Sequence, residues 1–201
     1  MKISSETQLR ALYGAPHPRA AMKVLSELDK HAVNFLSKSP FLVLCTTNAR
    51  GQMDASPKGG EPGFVKVLSA QEICIPDFKG NNRIDGLINL TEVDRIGLLF
   101  FIPGIDETLR INGSAEITTD AEMIAMMTVD GKAPITCIVV KVEEVFLHCA
   151  KAFMRSKLWD ASAQIDPDSF PTMGQMLKDQ LKDVEEAESR EAMRQRYAKD
   201  L

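Results

Sequence analysis

With 201 residues, 44% of them hydrophobic and 26% charged, the chain has room for one sizeable core with helical extensions. Its net charge of −4, from 24 basic and 28 acidic residues, argues against a general nucleic-acid surface, which needs clustered positive charge. The N-terminus is polar and no apolar run is long enough to span a bilayer, so a cytoplasmic protein with no membrane partner is expected.

In chain order, Ser4 or Ser5 caps a first short helix that runs through Leu12 to Gly14. After Pro16 and Pro18, the apolar residues Met22, Leu25, Leu28, Ala32, Phe35 and Leu36 recur at helical spacing up to Ser37. Residues 41–47 are β-branched and apolar and predict a buried strand, with a hairpin turn at 48–51 and a return strand over 52–56. The proline- and glycine-rich stretch 57–63 predicts a loop. Strands follow at 64–68 and 72–75, then a helix over 82–90 with Asn81 or Asn82 as its cap. Residues 95–102 form a strongly apolar strand, 103–106 a turn and 108–118 an alternating strand. Asp120 caps a Met-rich helix to Thr128, and 134–148 make a long strand. From Cys149 onward the chain reads as helix, with a charged tail over 178–201. The acidic segment 176–193 and the pair Glu185-Glu186 read as solvated helix faces.

Successive hairpins favour antiparallel pairing, and six or seven strands with flanking helices suit a small barrel. The fold class is mainly β with helices (α+β). The expected divisions are a helical extension over 1–37, a barrel domain over 38–160 and a second helical extension over 161–201.

Four groups of residues could carry chemistry. Gly80-Asn81-Asn82-Arg83 lies between a strand and a helix start, where free backbone N–H groups attract anions and an arginine completes the grip. Asp54-Ala55-Ser56-Pro57-Lys58-Gly59-Gly60 offers a hydroxyl, an ammonium and glycine backbone one hairpin earlier. Thr108, Arg110 and Asn112 share one strand face, a candidate polar wall. Lys151 and Arg155 share a helix face that Trp159 continues, which suits a planar anion. The cysteines Cys45, Cys74, Cys137 and Cys149 are far apart in sequence and lack zinc spacing, so no metal is expected. Three of them sit in apolar runs as reduced, buried thiols. His148-Cys149 reads as a structural pair at a strand-to-helix junction, with no glycine elbow to mark a nucleophile.

Taken together, Ser39-Pro40-Phe41-Leu42-Val43, Asp54 to Gly59, Pro62-Gly63-Phe64-Val65, Pro76-Asp77 with Gly80 to Asp85, Gly97 to Phe100, Thr108 to Gly113 and His148 to Ala152 resemble the pyridoxamine 5′-phosphate oxidase-related, FMN-binding split-barrel family. The resemblance covers nearly the whole chain to Trp159. It implies a six-stranded antiparallel split barrel and a homodimer with FMN at the subunit interface. It also implies a flavin oxidoreductase moving hydride to or from flavin N5, its small-molecule substrate unnamed. Non-catalytic flavin binding or sensing, or a deazaflavin- or haem-binding barrel, stand as alternatives.

By the same resemblance, Asn81, Asn82 and Arg83 match the turn that binds the FMN phosphate, with Ser56 and Lys58 beside it. Arg83 stands where the oxidases carry a lysine, Asn82 where they carry an arginine, and Ser56 where they carry another arginine. Pro76 and Asp77 match backbone that runs along the flavin. Thr108 matches a position reaching the flavin from the other subunit, with Arg110 near it, and Lys151 and Arg155 are further flavin contacts. The helix 120–128 lacks the tyrosine and arginine with which those oxidases hold pyridoxamine phosphate.

Overall fold

The computed structural model describes residues 2–181 and 186–198. Glu185, one of the paired tail carboxylates, lies outside the described residues, as does part of the acidic segment 176–193.

Among the described residues seven strands form one antiparallel sheet in the order β2-β1-β5-β6-β7-β4-β3. They are β1 (Phe41–Thr47), β2 (Met53–Gly59), β3 (Lys66–Ser69), β4 (Glu72–Asp77), β5 (Arg95–Ile102), β6 (Ile105–Thr118) and β7 (Thr136–His148). The expected α+β class holds, with seven strands: within the six or seven of the hairpin pattern and one more than the resemblance implies. β3, expected over 64–68, is a four-residue edge strand.

Alternation explains the core. Leu42, Leu44, Leu98, Phe100, Leu109, Ile111, Ile138 and Val140 come from neighbouring strands and are fully buried in one cluster. The sheet curls on itself: the Lys58 ammonium of β2 pairs with the Asp77 carboxylate of β4, although five strands separate β2 from β3 at the other edge. The barrel is therefore closed at that seam by side chains rather than by a strand ladder.

Helix α1 (Glu6–Tyr13) starts at Ser5, whose hydroxyl accepts from the Gln8 N–H, and ends at Gly14 with φ +71°. The continuous helical spacing over 22–37 is overturned. α2 (Pro18–Met22) stops early, and α3 (Lys30–Lys38) begins afresh at Asp29, which caps it through the His31 and Ala32 N–H groups. Between them Leu25 is extended and bridges Val145 of β7. Its place in the helical pattern is coincidental, because the long-range pairing satisfies its backbone.

β2 runs through Pro57 to Gly59, which corrects the loop expected over 57–63. β2 is an edge strand, and a proline there costs no ladder bond on the open side.

Helix α4 (Asp85–Glu92) lies over β1 and β2. Its Gly86, Asn89 and Leu90 are buried, and the Asn89 side-chain amide donates to the Thr46 hydroxyl at 3.0 Å in the interior. Asn89→Ala orphans that buried hydroxyl and is expected to cost about 1–3 kcal/mol. Urea unfolding with an unchanged m-value is the check.

Among the remaining helices, α5 (Ala121–Met126) is capped by Asp120 as expected. α6 (Lys151–Ser156) ends at Lys157 in the left-handed region, so Trp159 does not continue its face. The indole N–H instead donates to the Ile105 carbonyl at 2.9 Å. Its ring stacks on Phe153, which meets Phe101 and, through it, Phe41. α7 (Met173–Leu181) and α8 (Arg190–Tyr197) complete the described helices. No helix among the described residues is long and apolar enough to cross a membrane.

Candidate cofactor cleft

β2 turns Asp54, Ser56 and Lys58 to one face by its period of two, and pairing sets them opposite Thr46, Leu44 and Leu42 of β1. β4 ends and β7 begins on the far side, with Asp77 paired to Thr136. α4 and the turn before it form the rim. These walls enclose a cleft of about 720 Å³, a size that holds small-molecule ligands. It is lined by Asp54, Ser56, Lys58, Asp77, Asn81, Asn82, Arg83, Gly86 and Thr136, among others.

The turn itself is unlike the capped helix start that the sequence suggests. Asn82 has φ +60° and Ile84 φ +47°, so neither Asn81 nor Asn82 caps α4. Ile84 occupies the cap position and offers no side-chain acceptor. The first-turn N–H groups of α4 thus face the cleft rim without a capping side chain, where an anion is favoured. A β-branched residue in the left-handed region is strained, and such strain gathers at ligand sites. Asn81 Oδ1 accepts from the Arg83 N–H and shapes the turn.

Charge in the cleft is close to balanced. Two cations, Lys58 and Arg83, face three carboxylates, Asp54, Asp77 and Asp85. Lys58 and Asp77 pair with side chains 24% and 12% exposed. Arg83 is 74% exposed at the rim and reaches Asp85 at 2.8 Å. Two oxygens are left over: Asp54 Oδ2 and Thr136 Oγ1 are enclosed, with no hydrogen-bond partner among the described residues. Such leftovers are few in folded proteins and mark places where a ligand or water supplies the bond.

The cleft brings together Ser56, Lys58, Asp77, Asn81, Asn82 and Arg83. Pro76 is buried in β4 one residue before Asp77. Thr108, Arg110, Lys151 and Arg155 do not line the cleft within one chain. Thr108 is buried on β6 opposite His148. Arg110 pairs with Glu144 and lies 4.9 Å from the Phe146 ring centroid, with Lys23 over the same ring at 4.2 Å. Lys151 and Arg155 are exposed on α6. The cleft is also lined by Asp54, named above only as the first residue of its group, and by Gly86 and Thr136, which the sequence does not single out. Asp54 shares the β2 face with Ser56 and Lys58 and was legible by period two, whereas Thr136 reaches the cleft only through the β4–β7 pairing.

The cysteines divide by environment. Burial, with Cys137 beside it, pushes the Cys74 thiol up to about 12. The exposed Cys149 thiol is pulled below its usual range by the Lys151 backbone N–H, with the Lys151 and Lys23 charges helping. Iodoacetamide at neutral pH should therefore modify Cys149 first, and Cys74 and Cys137 only once the protein unfolds. Peptide mass spectrometry reads the order.

A cofactor with a phosphate and a hydroxylated chain fits this donor set. The rim offers backbone N–H groups, the Asn81 and Asn82 amides and Arg83 to an anion. The walls offer the unpartnered Asp54 and Thr136 oxygens.

The family model described as pyridoxamine 5′-phosphate oxidase matches residues 28–149. No curated protein matches the chain. The solved structures to which it is similar include HupZ of Group A Streptococcus, at 18% identity and a TM-score of 0.49, covering 60% of this chain and 93% of that one. A candidate pyridoxamine 5′-phosphate oxidase of Lactobacillus delbrueckii is 21% identical with a TM-score of 0.47, covering 62% and 99%. An FMN-binding protein of Syntrophomonas wolfei is 12% identical with a TM-score of 0.45, covering 58% and 81%.

Proposed function

Because the chain belongs to the pyridoxamine 5′-phosphate oxidase family, we propose that it is an FMN-binding flavoprotein, an oxidoreductase acting on a small molecule. The observation that carries this reading is the cleft itself. An uncapped, strained turn over 80–84 faces Ser56 and Lys58 across a space of cofactor size. Asn81, Asn82, Arg83 and the first-turn N–H groups of α4 would hold the phosphate, with Ser56 and Lys58 on the opposite wall. When bound, the flavin supplies hydride or electron transfer at N5. The protein's part is to bind, orient and shield, and no side chain is assigned as acid or base.

The matching assembly is a homodimer in which a second copy brings Thr108, Arg110, Lys151 and Arg155 to the flavin. Arg110, Asn112, Glu144, Phe146 and His148 form a half-buried outer face of β6 and β7 that suits such a contact. The His148 imidazole there is held below its usual range by burial and by the Arg110 and Lys23 charges. A reducing, cytoplasmic setting agrees with four free thiols. The helix after β6, residues 121–126, has no tyrosine or arginine, so the substrate is proposed to be other than pyridoxamine phosphate.

Absorbance and FMN titration of the purified protein test the reading. Flavin peaks and saturable FMN binding support it, and a colourless protein that also fails to bind added FMN overturns it. Turnover of the loaded protein with NADH, NADPH and oxygen separates an oxidoreductase from a flavin carrier. Light scattering tests the dimer, which a monomer that binds FMN tightly would contradict.

A further inference from the structure

We infer that Asp54 and Thr136 are a hydroxyl-reading pair, and that the cleft selects ligands by a hydroxylated chain between ring and phosphate. This rests on the flavin reading above and adds to it a contact for Asp54 and Thr136 that neither motif nor resemblance assigns. Asp54 Oδ2 projects from β2 and Thr136 Oγ1 from the start of β7, so the two lie on facing walls of one cleft. Both are enclosed and without a hydrogen-bond partner among the described residues. An ionised carboxylate only accepts, whereas a threonine hydroxyl accepts and donates. The complement to that pair is a ligand carrying several O–H groups.

Three neighbours support the assignment. Lys58, two positions beyond Ser56 on the Asp54 face, is engaged by Asp77, so the nearest ammonium on that strand is occupied elsewhere. Gly86 of α4 passes over Asp54, and a Cβ there would lie 2.9 Å from Oδ2. Its missing side chain is what makes room for that oxygen beneath the start of the helix. Arg83 and the α4 N-terminus sit at the rim, so an anionic group belongs there and the neutral, hydroxylated part of the same ligand belongs against Asp54 and Thr136.

The test measures dissociation constants of FMN, riboflavin and lumiflavin by flavin fluorescence on the wild type, Asp54→Ala and Thr136→Val. Lumiflavin keeps the ring and lacks the hydroxylated chain. Thr136→Val should weaken FMN and riboflavin alike by about tenfold; Asp54→Ala should weaken riboflavin by about tenfold and FMN by less, because the lost repulsion of the phosphate offsets part of the loss; neither should move lumiflavin. Electrostatics alone gives the opposite sign for Asp54→Ala, since removing a carboxylate near a phosphate tightens FMN. FMN binding tightened by Asp54→Ala and unmoved by Thr136→Val would overturn the inference, as would an equal loss for all three ligands. A wild type that binds none of them overturns the flavin reading itself, and the inference with it. Far-UV circular dichroism confirms that each variant is folded.

Discussion

Gly113→Ala is expected to unfold the protein or to cost about 3–5 kcal/mol, a large share of a typical domain's stability of about 5–15 kcal/mol. Gly113 lies where the β6–β7 register slips: Asn112 pairs with Glu144, but Gly113 pairs with Val142, which leaves Glu143 bulged. A Cβ at 113 would sit 1.9 Å from the Lys141 carbonyl oxygen and 3.0 Å from its carbon. Both are backbone atoms of the facing strand, so no side-chain rotation relieves the overlap. The ladder must open or the register must shift, and a one-residue slip would turn the Val140, Val142 and Val145 face away from the core. Gly97→Ala is the control. Its Cβ would meet the Asn112 Oδ1 at 3.4 Å and the Cys45 Cβ at 3.9 Å, ordinary contacts, and the cost should stay under about 1 kcal/mol. Denaturant unfolding compares the two. A Gly113→Ala protein as stable as the Gly97→Ala one would show that the bulge is misplaced.

The same strand pair shows what a sequence reveals and what it conceals. β1 and β5 take the bounds expected of them, because a β-branched apolar run over 41–47 and a longer one over 95–102 have few alternatives. Asp120 and Ser5 act as caps because capping is a bond between residues three apart. Failures fall where distant chain decides. Leu25 fits a helical stripe yet pairs with Val145, 120 residues later. Pro57 reads as a strand breaker, but β2 is an edge. Asn82 reads as a cap and instead takes φ +60° in a turn whose strain no local pattern announces. At the site the gradient is similar. Gly80 to Arg83 and Ser56 to Lys58 were legible as anion-binding types, and their meeting across one cleft follows from the curl that brings β2 to β4. Thr136 has no sequence signal. It becomes a wall of the cleft only because it is paired with Asp77. Cys74 and Cys137 likewise carry no motif, and the β4–β7 ladder places them side by side.

Substituting Ser56 should move FMN affinity strongly and in opposite directions. The cleft already holds three carboxylates against two cations, both of them paired, so a phosphate there is held mainly by neutral donors. Ser56→Asp adds a fourth carboxylate on the face shared with Asp54 and Lys58. Two like charges about 5 Å apart at an effective dielectric of about 20 repel by about 3 kcal/mol, which screening reduces at a half-exposed position. Against a phosphate of nearly two charges the net loss should be about 2–3 kcal/mol, or on the order of 100-fold in FMN affinity. Ser56→Arg reverses the sign. It balances the cleft at three cations and three carboxylates and restores the residue type that the resembled oxidases carry there, so FMN should bind about tenfold more tightly. Riboflavin lacks the phosphate and should respond to neither change by more than about twofold. That selectivity separates Ser56 from Thr136, whose loss should touch FMN and riboflavin equally, and from Asp54, whose loss should weaken riboflavin more than FMN. Fluorescence titration of both ligands on both Ser56 variants, repeated in high salt, reads the difference. If FMN and riboflavin moved together, the phosphate would lie elsewhere than at the 80–84 turn.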